Sequence, residues 1–179
     1  GLRRKRVGVI CQFAPRRYNY SMIPPLPYAD QRAYLDHNWP VYLDLLHQMV
    51  AINSFTFNPA GVNRLGALTA ERFAALGFTA EAVPADSFRY GHHLVLERPG
   101  RSGVDGRPAP VVGLISHLDT VFPEAEEQTN DFHFRIAGDR IYGPGTVDIK
   151  GGTVMIYMVL DGLRHFYPDV FDGVTWRIL

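Results

Sequence analysis

Residues 111–152 read VVGLISHLDTVFPEAEEQTNDFHFRIAGDRIYGPGTVDIKGG. The apolar run Val111, Val112, Leu114 and Ile115 follows Pro110 and stops at His117-Leu118-Asp119. A short apolar run bounded by breakers predicts a buried strand over 111–116. Side chains two apart on a strand share a face, so His117 and Asp119 are expected to leave its end in the same direction. A further acid, Asp148, follows the turn residues Gly143-Pro144-Gly145 and precedes Lys150-Gly151-Gly152. One imidazole and two carboxylates at the ends of elements are the raw material of a metal site.

Working outward, Trp39, Tyr42, Leu43, Leu45, Leu46, Met49 and Val50 recur at three- and four-residue steps. That period predicts an amphipathic helix from Asp30 to near Asn53-Ser54. A second helix is expected through Leu65, Leu68, Ala70, Phe73 and Leu76, with Gly77 as its stop. Phe78 to Val83, His93 to Glu97 and Val174 to Leu179 read as strands, and Gly138-Asp139 predicts a hairpin or bulge within Phe134 to Tyr142. A third helix, Gly152 to Phe166, is apolar nearly all round and is expected to be buried on more than one face. Strands alternating with helices predict an α/β fold, helices layered on a mostly parallel sheet. The last strand, with Val174, Trp176, Ile178 and Leu179, is expected to lack neighbours, leaving an edge prone to association.

Composition bounds the class. The 179 residues are 46% hydrophobic, enough for one globular domain with a real core. Lys+Arg 18 balances Asp+Glu 18, so nothing global points to nucleic acid or acidic lipid. Cys11 is the only cysteine, which rules out an intrachain disulfide framework and leaves any zinc to His and carboxylate ligands. No apolar run approaches the roughly 20 residues of a membrane span, so no membrane partner is expected and the location is read as cytoplasmic. Residues 1–29 carry Arg3, Arg4, Lys5, Arg6, Arg16, Arg17 and Pro24-Pro25-Leu26-Pro27, an irregular basic and proline-rich arm read as a solvated terminus. Residues 30–179 form the domain.

Within the motif, His117 is a candidate direct metal ligand. Asp119 could bind as well, or could fix the tautomer of the imidazole from behind it. Asp148 can supply two oxygens and so bridge two ions. His92, His93, His133 and His165 have no ligand-like spacing and are read as surface or packing residues, and Glu126-Glu127 in PEAEEQTND as a solvated acidic run. A phosphate-cradling glycine loop over 143–152 is disfavoured, because Lys150 precedes its glycines and Asp148 would repel phosphate.

His117-Leu118-Asp119-Thr120-Val121, together with Gly143-Pro144-Gly145-Thr146-Val147-Asp148-Ile149-Lys150-Gly151-Gly152, resembles the co-catalytic di-zinc metallopeptidase family of glutamate carboxypeptidase, acetylornithine deacetylase and aminoacylase. Asn58-Pro59-Ala60-Gly61-Val62 and Leu76-Gly77-Phe78 are similar to its N-terminal helices, most of all in the glutamate carboxypeptidase branch, and the resemblance covers roughly residues 35–179. It implies an incomplete three-layer α/β/α zinc-peptidase (phosphorylase/hydrolase-like) domain with a mostly parallel mixed sheet. It implies two Zn2+ per complete site, with Co2+ or Mn2+ as alternatives, His117 binding one ion, Asp148 bridging both, and Asp119 serving catalysis by steering the His117 ring. The implied reaction is cleavage of an amide bond in a small peptide or N-acyl amino acid by a metal-activated water. The family's general-base Glu and its remaining ligands follow the bridging Asp, beyond Leu179. The chain is therefore expected to be the truncated N-terminal part of a catalytic domain, holding half a site and inactive by itself. The alternative is an inactive fragment or interaction module on the same fold, and a homodimer or a complementing C-terminal half is the partner either reading would take.

Overall fold

The computed structural model describes residues 28–103 and 106–179. Of the arm expected over residues 1–29, all but Tyr28 and Ala29 lies outside them, as does Cys11. Helix α1 spans Ala29–Val50 and buries Tyr42, Leu45, Leu46, Met49 and Val50, the stripe that the periodicity marks. Helix α2 spans Pro59–Ala74. The Asn58 side chain accepts from the Gly61 amide at 3.1 Å, and Pro59, which lacks an N–H to satisfy, opens the first turn. The chain then forms β1 (Thr79–Val83), β2 (His93–Arg98), β3 (Val111–Leu114) and the short α3 (Glu124–Thr129). Next come β4 (Arg135–Ala137) and β5 (Arg140–Tyr142), paired through Gly138 at φ +62°, the expected hairpin. Helix α4 (Lys150–Phe166), the one-turn α5 (Pro168–Asp172) and β6 (Thr175–Ile178) complete it.

The main sheet has strand order β1-β2-β6-β3. β1–β2 and β2–β6 are antiparallel; β6–β3 is parallel, in register from Val111↔Thr175 to Leu114↔Ile178. The fold is α/β on a mixed sheet, but the sheet is not mostly parallel as expected: only β3–β6, the pair joined by a helical crossover, is parallel, and the short β1–β2 connection permits only antiparallel pairing. Phe73, Leu76, Phe78, Leu96, Leu160, Phe171, Trp176 and Ile178 form one core cluster between the helices and one face of the sheet. Tyr42, Leu45, Leu46, Met49, Leu65 and Val154 form a second between α1, α2 and α4, and Tyr157 packs against both.

Three further expectations change. The final strand does not lie at the edge: β6 is paired on both sides, and Trp176 and Ile178 are buried. The edges are β1 and β3, and β3 is not the buried strand its composition suggests; Val111 is 61% exposed and Ile115, just past the strand, 81%, because β3 has one neighbour. Helix α4 does meet both core clusters, but Met155 and Val159 face solvent, so its apolar surface is only partly used.

Polar burial is concentrated at Asp161 on α4. It accepts from Tyr42 Oη at 2.8 Å and Tyr34 Oη at 3.0 Å, and Arg164 Nη2 lies 3.1 Å from its other oxygen. Burial, with the neighbouring Asp161 carboxylate, raises the Tyr42 phenol well above its ordinary value. The unfolded chain therefore releases this proton near pH 10, before the folded chain does, and stability is lost as pH rises past that point. Tyr42→Phe is expected to cost about 1.5–3 kcal/mol at pH 7, the range for a bond to a charged acceptor. The gap to the unsubstituted protein should narrow above about pH 10 in denaturant titrations; an unchanged gap would contradict the assignment.

Candidate active site

The motif after β3 is clamped at both ends. On one side the parallel ladder runs on past β3 and β6: Leu179 donates to Leu114 O at 3.0 Å, and Ser116 to Leu179 O at 2.9 Å. On the other side Thr120 donates to Ser54 O at 2.8 Å and Thr56 to Thr120 O at 2.9 Å, forming an isolated bridge between Phe55 and Thr120. The intervening His117-Leu118-Asp119 has little freedom to move.

His117 sits between the two acids. Its Nδ1 is 3.0 Å from Asp119 O and 3.4 Å from Asp119 Oδ1. Its Nε2 is 3.0 Å from Asp148 Oδ1. Asp119 is itself held, since Thr56 Oγ1 donates to its Oδ2 at 2.5 Å. A neutral imidazole has one proton and two nitrogens. Two oxygens facing Nδ1 favour the proton there, which leaves a lone pair on Nε2 pointing at a carboxylate oxygen. Two lone pairs at 3.0 Å repel unless a proton or a cation lies between them. Ligands of one zinc ion, each about 2.0–2.2 Å from the metal, stand roughly 3–3.4 Å apart, so the spacing fits a shared cation.

Asp148 arrives from a turn that only glycine permits. Gly145 has φ +79°, and a Cβ on it would lie 2.9 Å from Lys150 Cδ and 3.0 Å from Thr120 Cγ2. The Asp148–Ile149 peptide is cis. The Lys150 amide closes the turn on Gly145 O at 2.7 Å. No group of three or more His, Cys, Asp or Glu is placed to hold one ion among the described residues. Geometry explains that: Asp119 lies on the Nδ1 side of the ring, away from Asp148, and does not join it around one point. His117 Nε2 and Asp148 thus stand 3.0 Å apart, with Asp119 at the other ring nitrogen.

A cavity of about 470 Å³ opens beside His117 and Asp119, walled by Val62, Phe73, Leu94, Leu96 and Ile178. His92 and His93 also line it, whereas His165 stacks on Tyr34 and His133 pairs with Asp131. Lys150, a phosphate contact in the disfavoured glycine-loop reading, is buried and bonded to Ile52 O at 2.9 Å, so it is turned away from any ligand at the loop. The segment PEAEEQTND is not a solvated loop throughout: Glu124–Thr129 is the helix α3, and Glu127 turns inward, its Oε1 buried and without a hydrogen-bond partner. Thr56 escaped the sequence reading as well. A threonine near a helix start looks like any turn residue, and only the fold shows it under Asp119.

Residues 113–170 match the model of peptidase family M20/M25/M40. Carboxypeptidase G2 of Pseudomonas sp. (strain RS-16) is 29% identical over 136 residues, 76% of this chain and 31% of that protein. Succinyl-diaminopimelate desuccinylase of Methylorubrum extorquens is 29% identical over 124 residues, 64% of this chain and 32% of that protein. The chain thus spans about a third of the length of the curated relatives it matches. Human carnosine dipeptidase 1 superposes with a TM-score of 0.64 at 18% identity, over 83% of this chain and 33% of its own. The M20 family metallo-carboxypeptidase Sso-CP2 from Sulfolobus solfataricus gives 0.55 at 17% identity, over 76% of this chain and 29% of its own. These likenesses show a fold shared with those two proteins, and both candidate metal-site motifs fall at its strand and helix ends.

Gly145→Ala should destabilise the protein by about 1–2 kcal/mol for the left-handed backbone alone, and by more because Lys150 and Thr120 must move. A denaturant midpoint equal to that of the unsubstituted protein would show that the turn is not held as described.

Proposed function

We propose that the protein is a metal-dependent amidohydrolase of the M20 kind, in which this chain supplies His117 and Asp148 as metal ligands and Asp119 as the group that orients His117. The observation that carries the reading is the placement of His117, with an acid facing each ring nitrogen. Bound divalent ions supply Lewis-acid polarisation of an amide carbonyl and activate water at neutral pH. The residues here do the holding. The Asp119 main-chain carbonyl accepts from Nδ1, its carboxylate adds a negative charge 3.4 Å away, and together they present the Nε2 lone pair; Thr56 fixes that carboxylate. Asp148, with two oxygens and a largely exposed side chain, is suited to span two cations. Zn2+ is the ion that a His and carboxylate set favours, and Co2+ or Mn2+ would serve in its place.

The substrate class proposed is a small peptide or an N-acyl amino acid, in keeping with relatives named as a carboxypeptidase and a desuccinylase. The parallel ladder that joins Ser116 to Leu179 directs any continuation of the chain toward His117. That is where the reading expects the proton-accepting Glu. The open edge of β3 is where a strand from a second copy, or from a complementing C-terminal half, would add. No helix among the described residues is long and apolar enough to cross a membrane.

The test is made on the full-length protein, stripped with chelator and reloaded with Zn2+. Hydrolysis of a panel of N-acyl amino acids should stop on stripping and return on reloading. His117→Ala and Asp148→Asn should each abolish it, and Asp119→Ala should weaken metal affinity about 10–100-fold. Hydrolysis that survives stripping, or metal binding indifferent to His117→Ala, would overturn the proposal.

A further inference from the structure

Asp148 has little to hold its side chain. Its carboxylate is 77% exposed and, among the described residues, hydrogen-bonds His117 alone. Its position must therefore come from its backbone, and that backbone is anchored two residues on. Lys150, the first residue of α4, is 1% exposed, among the most buried side chains of the chain. It runs back past Gly145 to give its ammonium to Ile52 O, just beyond the end of α1, at 2.9 Å. Its own amide holds Gly145 O at 2.7 Å, so one residue ties the 143–148 turn to α1 from both main chain and side chain.

The arrangement is costly, which is what makes it informative. A buried ammonium gives up several kcal/mol of hydration, which one carbonyl at the C-terminal end of α1 offsets only in part. Glu127 supplies the nearest opposite charge acting on it, yet the two are not in hydrogen-bond contact, and Glu127 Oε1 is buried without a partner. A methionine or leucine would fill the same volume without these penalties. A buried ammonium with a half-buried carboxylate held apart from it, next to a turn that delivers an exposed carboxylate, serves to fix that turn.

We propose that Lys150, backed by Glu127, is the positioning residue for Asp148: it locks the 143–148 turn to α1 so that the Asp148 carboxylate meets His117 without search. The inference rests on the reading of Asp148 as a metal ligand. It adds that the ligand's geometry is set by a charge that never touches metal or substrate.

The test uses Co2+ as the probe on the full-length protein, with Lys150→Met, Glu127→Gln and Asp148→Asn, following affinity by calorimetry and geometry by the visible absorption band. Hydrogen exchange of the 143–148 amides in the metal-free protein is a separate readout. Lys150→Met should keep its fold by circular dichroism, bind Co2+ about 10–100-fold more weakly with an altered band, and speed exchange at 143–148. Glu127→Gln should shift both readouts the same way by a smaller factor, and it carries the test should Lys150→Met fail to fold. Unchanged affinity, band and exchange in the variants that fold would overturn the inference while Asp148→Asn still weakens binding. Co2+ binding indifferent to Asp148→Asn would instead remove the ligand reading, and this inference with it.

Discussion

The parallel pairing of β3 with β6 is the constraint on which the rest depends. Two parallel neighbours require a crossover, and here that crossover is the loop, hairpin and helix α4 between Leu114 and Thr175. A helix that returns antiparallel to the strands starts near their C-terminal ends. The start of α4, with Asp148 just before it, therefore comes to the same end of the sheet as His117. That end is where open α/β sheets gather their ligands. The 3.0 Å approach of a side chain at 117 to one at 148 follows from topology before any local preference is considered.

Local chemistry then sharpens the approach. The 117–120 loop has its own hydrogen bonds to Leu179 on one side and to residues 54–56 on the other, so the imidazole is carried on backbone that is tied at two points. Thr56 bonds Asp119, Asp119 faces Nδ1 of the ring, and Lys150 ties the turn before Asp148 to the end of α1. Each support is polar and partly or wholly buried, and each costs desolvation that an apolar contact would not. Holding two ligands at a set distance needs direction as well as adhesion, and hydrogen bonds supply direction.

Much of this was legible in the residues. The stripe Tyr42, Leu45, Leu46, Met49 defines α1, and Gly138-Asp139 turns the hairpin, because in each case the signal is local. His117, Asp119 and Asp148 stood out because their spacing around an apolar strand and a glycine turn is unusual. The burial of strands was not legible. Val111 and Ile115 are as apolar as any core strand, yet they lie on an edge, since composition reports the surroundings a strand suits and not the number of neighbours it has. Glu127 and Lys150 were hidden for a related reason: an acid in an acidic run and a lysine beside glycines look solvated until the fold encloses them. Thr56 gains its place from a bridge to a residue more than sixty positions away, which no local window contains.

The central claim is that His117 and Asp148 share a divalent cation. Anomalous diffraction at the zinc edge from crystals of the zinc-loaded protein tests it most directly. The account predicts a peak bonded to His117 Nε2 and to an oxygen of Asp148, each at about 2.0–2.2 Å, with Asp119 still on Nδ1. Zinc bound elsewhere, or a His117 Nε2 that donates a proton to Asp148 with no metal between them at saturating zinc, would contradict it.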